Sequence, residues 1–132
     1  MQAETTSIWH GVHHIALATP DLDATRHFYA DILQIPVSDV YPSKAGRGRH
    51  CFVFVKPGDD MMWGLHYFER PVEAGGTLLH LCLALSDKPT ADALHERLRS
   101  HGIVTTVIPE LGGNFTFNDN NGMMLEITWP KG

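Results

Sequence analysis

Two stretches of the chain alternate in the same way. Gly11 to Ala18 reads GVHHIALA and Leu79 to Leu85 reads LHLCLAL. Successive side chains of a strand point to opposite faces. Ile15 and Leu17 therefore share one face, and His14, Ala16 and Ala18 the other. In the second stretch Leu81, Leu83 and Leu85 oppose His80, Cys82 and Ala84. Each stretch pairs a large-aliphatic face, suited to burial under a helix, with a face of one imidazole and small side chains that leaves room for something else. After each, the period lengthens. Thr19-Pro20-Asp21 stops the first strand, with Asp21 placed to cap exposed amides, and predicts a helix over Asp21 to Leu33. Its apolar stripe is Leu22, Phe28, Tyr29, Ile32 and Leu33, and Pro36 ends it.

Beyond that helix, Pro42 to Gly48 reads as a flexible loop with Lys44, Arg47 and Arg49 in or beside it. Arg49 to Val55 and Met61 to Phe68 read as strands about a Pro57-Gly58-Asp59 turn. The second half opens after Gly75-Gly76 and repeats the plan. Ser86 to Thr90 forms a turn, and Ala91 to His101 a helix with Ala91, Leu94 and Leu98 on one face and Gly102 as its stop. Strands over Ile103 to Ile108, Asn114 to Asn118 and Met123 to Thr128 follow. Strand, helix and three strands, occurring twice, indicate an internal duplication. We expect one domain over residues 1–132, with module 1 at about 11–72, module 2 at about 77–129 and a short polar tail over 1–10.

Superposing the closing strands lays Gly64-Leu65-His66-Tyr67-Phe68 over Met124-Leu125-Glu126-Ile127-Thr128. His66 and Glu126 then occupy equivalent polar places in apolar strands. Each half offers one metal-capable residue in its first strand and one in its last: His14 with His66, and His80 with Glu126. A buried carboxylate without a partner is costly, and a divalent cation beside imidazoles holds it ionised. Imidazole and carboxylate donors without cysteine suit Zn, Ni, Co, Mn or Fe(II) and argue against a structural thiolate zinc site.

Composition narrows the partners. The chain has 132 residues, 43% hydrophobic and 19% charged, as in an ordinary soluble globular protein. No stretch approaches the length of a membrane helix, and the start lacks a basic segment followed by an apolar run. The expectation is a cytoplasmic protein without a membrane partner. A net charge of −5 with no basic block argues against nucleic acid. Cys51 and Cys82, both in strand-like apolar runs, are expected as reduced, buried thiols. His10, His13, His27, His95 and His101 are given no role in the site.

HHIALATPDLDATRHFYADIL and FTFNDNNGMMLEIT carry a family resemblance. The first resembles the opening strand and helix, and the second the closing phe-x-asp-pro-x-gly-x-x-x-glu pattern, of the vicinal oxygen chelate superfamily. That superfamily groups glyoxalase I, methylmalonyl-CoA epimerase, fosfomycin and bleomycin resistance proteins and extradiol dioxygenases. The resemblance runs from Val12 to Trp129, with Asn120 where proline is usual and Gln34 where the helix usually ends on glycine. It implies an α+β fold in which two tandem βαβββ modules form a curved, partly open eight-stranded barrel. It also implies His14, His66, His80 and Glu126 as metal ligands, and a homodimer.

The resemblance further implies that a small oxygenated substrate is chelated through adjacent oxygens on a divalent metal. The expected reaction is glyoxalase-like proton transfer, an isomerisation, lyase or epimerisation step, with Glu126 and His66 as the catalytic residues. His66 stands where a carboxylate or amide is more usual, and Ala18 where the glutathione-gripping arginine is usual, so the substrate is expected to differ from that of glyoxalase I. An Fe(II)-dependent extradiol-type dioxygenase using His14, His80 and Glu126, with His66 outside the ligand set, is the alternative. A drug-binding resistance protein without catalysis is the second. The mainly apolar pocket is expected to include His50, Met62, Phe68, Cys82, Met124 and Thr128.

Overall fold

The computed structural model describes residues 8–59, 61–72 and 78–132. The first seven residues of the polar tail and the Gly75-Gly76 break lie outside them. The first sheet takes β1 (His14–Thr19), β2 (His50–Val53) and β3 (Gly64–Glu69) in the order β1-β3-β2, with β1 parallel and β2 antiparallel to β3. The second takes β4 (Leu81–Ala84), β5 (Thr106–Ile108), β6 (Asn114–Asn118) and β7 (Met124–Thr128) in the order β4-β7-β6-β5. Again the first strand of the half runs parallel to the last. The fold is α+β and duplicated. In the first half the fourth strand is reduced to two antiparallel bridges beside β2, Val37 to Val53 and Tyr41 to His50. Among the described residues the named strands therefore number seven.

Helix α1 (Leu22–Arg26) runs on into a π-helical turn, His27–Ile32. Asp21 caps α1 by accepting from the Ala24 amide at 3.0 Å. The Glu69 carboxylate accepts from the Leu22 amide at 3.0 Å, tying the helix start to β3. The whole predicted stripe, Leu22, Phe28, Tyr29, Ile32 and Leu33, is buried. Helix α2 (Lys88–Ser100) begins three residues before the expected Ala91. Asp87 accepts from the Thr90 amide at 2.9 Å, and Pro89 fits a first turn that needs no donor, so the expected turn is the cap itself. Of the expected strand over Ile103 to Ile108 only Thr106–Ile108 pairs with β6.

The halves are joined by a polar cluster inside the apolar core. Asp119, which opens the β6–β7 turn, is buried. Its Oδ1 accepts from the Asn121 and Met123 amides at 2.8 and 2.9 Å. Its Oδ2 accepts from the Tyr29 hydroxyl at 2.7 Å, and the Tyr67 hydroxyl lies 2.7 Å from that of Tyr29. Burial, reinforced by the neighbouring tyrosine and the Asp119 charge, raises the Tyr29 phenol far above the ordinary range. Burial raises Tyr67 as well. Beside this cluster, buried Thr19 and Thr25 share a 2.8 Å hydrogen bond. The Asn120 and Asn121 side-chain amides donate to Thr25 at 3.0 and 3.2 Å. Asn120, in the place where proline is usual, thus makes a bond that a proline could not.

The cysteines differ from one another. Cys51 is buried as expected, and burial pushes its thiol up to about 11. Cys82 corrects the expectation: it is exposed, because it lies with Ala84 on the face of β4 opposite Leu81 and Leu83, which pack against the core. Two outcomes follow. Asp119→Ala strands the two tyrosine hydroxyls and two amides, and should cost about 3 kcal/mol, read as a fall in melting temperature of roughly 10 °C. In native protein iodoacetamide should label Cys82 and spare Cys51, and peptide mass mapping checks both.

Candidate functional site

The register of β1 on β3 sets Ala16 beside His66 and His14 beside Gly64. Gly64 has φ of 127°, and a Cβ there would collide with the Val53 carbonyl of β2, so only glycine lets the strands close at this point. The His14 and His66 rings stack with centroids 3.9 Å apart and planes at 10°. His13 Nδ1 lies 2.8 Å from His14 Nδ1, so one ring donates to the other; with His14 as the donor, its Nε2 carries the lone pair that a ligand site needs. The His66 Nε2–H donates to the Met62 carbonyl at 2.7 Å, with Met62 in the left-handed region at φ of 59°. Burial lowers the His66 pKa against that carbonyl, with a smaller push from His14, His13 and His50.

The second half carries the equivalent arrangement. Cys82 of β4 sits beside Glu126 of β7, as Ala16 does beside His66. His80 lies just before β4, exposed, with Nε2 3.5 Å from Glu126 Oε1. Glu126 is buried, and its Oε2 accepts from Asn114 Nδ2 at 2.8 Å. Asn114 Oδ1 in turn accepts from Lys131 Nζ at 2.6 Å. The Cys82 thiol is raised by burial and by the adjacent Glu126 carboxylate, to which it is hydrogen-bonded.

A cavity of about 470 Å³ opens over His14 and His66. His50, Phe52 and Phe68 line it, with Lys44 and Arg47 from the 42–48 loop. Of the expected pocket residues, His50 and Phe68 line this cavity. Met62 supplies its carbonyl to His66. Cys82 and Thr128 lie with Glu126 on the second half, where Thr128 accepts from Lys131 at 3.3 Å. Met124 is exposed in a shallow cleft with Val104 and Thr116. Arg49 is committed elsewhere, in a fork onto Glu69 at 2.9 and 3.0 Å.

His13, given no role from the sequence, in fact bonds His14, and Asn114 was not read from the sequence at all. His13 precedes the first paired residue of β1, so strand alternation does not govern its direction. Asn114 was within reach of the pattern, because Thr116 pairs with Glu126 and Asn114 lies two residues along the same face.

The structure therefore brings together His14 with His66 and His80 with Glu126. Among the described residues no three histidine, cysteine, aspartate or glutamate side chains form a group able to hold a metal ion. Each pair nevertheless has the chemistry of a ligand set. A metal-binding imidazole or carboxylate is oriented by a hydrogen bond to its other atom. The His13–His14 bond and the Asn114–Glu126 bond are of that kind. Imidazole nitrogens and a carboxylate are donors of the kind that suit a divalent ion.

The chain matches, over residues 11–127, the family model of the Glyoxalase/Bleomycin resistance protein/Dioxygenase superfamily. It belongs to that superfamily. No curated protein matches by sequence. Among solved structures, one is a mutant of the fosfomycin resistance protein FosX from Listeria monocytogenes, complexed with Mn(II) and 1S,2S-dihydroxypropylphosphonic acid. It aligns with TM-score 0.71 and 20% identity over 95% of this chain and 94% of that one. TnmS3, an antibiotic-binding protein from Streptomyces sp. CB03234, aligns with TM-score 0.69 and 22% identity over 95% and 99%. A glyoxylase/bleomycin resistance protein/dioxygenase domain from Frankia sp. EAN1pec aligns with TM-score 0.70 and 23% identity over 92% of each chain. At these identities the likeness establishes the fold.

A titration tests the electrostatics. His66 should titrate by NMR below the ordinary histidine value of about 6.5. Because its folded pKa is the lower, the unfolded chain binds more protons between the two values. The stability contributed by neutral His66 is full above the unfolded pKa and is lost as pH falls from there through the folded value. Urea midpoints measured from pH 7.5 downward should show that loss, and His66→Phe should flatten it.

Proposed function

We propose that the protein is a metal-dependent enzyme that binds a small oxygenated substrate through adjacent oxygens and moves a proton on it. The observation that carries this reading is the pair of duplicated, hydrogen-bonded donor sets, His14 with His66 and His80 with Glu126. FosX, bound to Mn(II) and a vicinal diol, supports it from the same fold. Zn, Ni, Co, Mn or Fe(II) suits these donors. When bound, such an ion supplies Lewis acidity at the substrate's adjacent oxygens.

The chain's own residues do the rest. Asn114 holds Oε2 of Glu126, so Oε1, which faces His80 at 3.5 Å, is the atom placed to take a proton from substrate carbon. His66, kept neutral by burial, presents its Nδ1 lone pair beside His14 while its Nε2–H stays on the Met62 carbonyl. It orients substrate by accepting from a substrate hydroxyl at Nδ1, and Glu126 returns its proton to the product. Because a single chain keeps its two donor pairs apart, a homodimer completes the site, with module 1 of one copy facing module 2 of the other.

The commitment of His66 to Met62 favours one second reading. It leaves His14, His80 and Glu126, two imidazoles and a carboxylate, as the ligands, which is the donor set of Fe(II) oxygenases. The first test is element-specific mass spectrometry on untagged protein purified without chelator and then reconstituted anaerobically with each ion. Binding near stoichiometric with the chain is expected. His14→Ala and Glu126→Ala should each abolish retention with circular dichroism unchanged, and full retention in either variant overturns the assignment. Mn, Ni, Co or Zn uptake supports proton transfer. Fe(II) selectivity with oxygen sensitivity moves the reaction to dioxygenation, and tight antibiotic binding without metal moves the protein to the drug-binding class.

A further inference from the structure

Of the three basic residues around the 42–49 segment, only one is neutralised. Arg49 forks onto Glu69, and that carboxylate also takes the Leu22 amide, so this pair belongs to the framework. Lys44 and Arg47 instead line the cavity over His14 and His66, and among the described residues neither has an acidic partner. Among the described residues no aspartate or glutamate lines that cavity. On a chain of net charge −5, two unneutralised cations at one cavity make a local positive field against the global charge.

The loop that carries them is held in place. The Arg47 amide donates to the Lys44 carbonyl at 3.2 Å, and the Gly48 amide donates to the Ser43 hydroxyl at 3.1 Å. Gly48 lies so close to the Glu69 backbone that any Cβ would collide with its carbonyl. Below the loop the cavity wall is flat and aromatic. Phe52 stands edge-on to His66 with centroids 4.5 Å apart, and His50 stacks on Phe68 at 5.3 Å. Ring faces of this kind favour a planar ligand body, and about 470 Å³ is within the small-molecule range.

We propose that this cavity takes a small organic anion with a flat, unsaturated body, its charged head held by Lys44 and Arg47 and its body laid against Phe52 and Phe68. The proposal rests on the functional reading above only in making this cavity the substrate site. Arg47 offers a planar fork to an oxyanion and Lys44 a point charge, so the pair sets specificity for the head while the rings accept the body.

Isothermal titration calorimetry on the full-length, metal-free protein at low salt tests it, with benzoate and phenylphosphonate as anionic probes and benzyl alcohol and benzamide as neutral ones. The anions should bind about tenfold tighter or more than the neutral probes, a difference readily measured. The double variant Lys44→Gln/Arg47→Gln should weaken the anions by a similar factor and leave benzyl alcohol unchanged. Phe52→Leu should weaken all probes alike. A preference between benzoate and phenylphosphonate identifies the head as carboxylate or phosphonate. Anions that bind no tighter than neutral probes, or as tightly to the double variant as to the parent, overturn the proposal. Anion selectivity in a protein that retains no metal upholds this inference and removes the proposed enzyme; metal retention without anion selectivity does the reverse.

Discussion

A single buried carboxylate orients both halves of the site. Asp119 reaches across the duplication to the hydroxyls of Tyr29 and Tyr67 and, with its other oxygen, fixes the amides of the turn that leads into β7. Tyr67 is the neighbour of His66 on β3. Because alternate side chains oppose one another, a Tyr67 held down in the core turns His66 up toward the cavity. The same turn sets where β7 begins, and so the register that places Glu126 beside Cys82. Leaving such a group unpaired in the core costs several times the net gain of one ordinary hydrogen bond. The cluster therefore acts as a register lock as well as a source of stability.

The two halves have kept one plan and diverged in what stands behind it. Both use a parallel pair of first and last strands, with a small residue beside the polar one: Ala16 beside His66, Cys82 beside Glu126. In the first half a backbone carbonyl, that of Met62, takes the imidazole N–H, and burial keeps the ring neutral. In the second half a side-chain amide, that of Asn114, steadies a carboxylate, and Lys131 steadies the amide. One half thus offers imidazole nitrogens under an aromatic and cationic cavity. The other offers a charge. An asymmetric pair of polar positions is what remains of a symmetric duplication.

Much of this was legible from alternation alone. His14 and Ala16 on one face, His80 and Cys82 on the other half's counterpart, and the equivalence of His66 with Glu126 all follow from a period of two and a repeat. The helix stripe from Leu22 to Leu33 was equally plain, and its residues are buried in the core. What escaped was whatever periodicity does not reach. His13 lies just before the pairing of β1 begins, and the π-helical turn over His27–Ile32 is a local choice of hydrogen-bond partner that an apolar stripe tolerates. The separation of the two donor pairs was also hidden, since a strand pattern gives the face of a residue and not its distance to another sheet.

In the proposed dimer each chain supplies two half-sites, and each of the two metal sites is completed across both chains. The most direct measurement is the metal content of a heterodimer made from one His14→Ala chain and one Glu126→Ala chain, co-expressed under two affinity tags and isolated by sequential capture. If module 1 of one copy faces module 2 of the other, both lesions fall in the same site and the second site is whole. The heterodimer then holds about half the metal of the parent dimer while each variant homodimer holds none. A heterodimer as empty as the two homodimers would contradict the account.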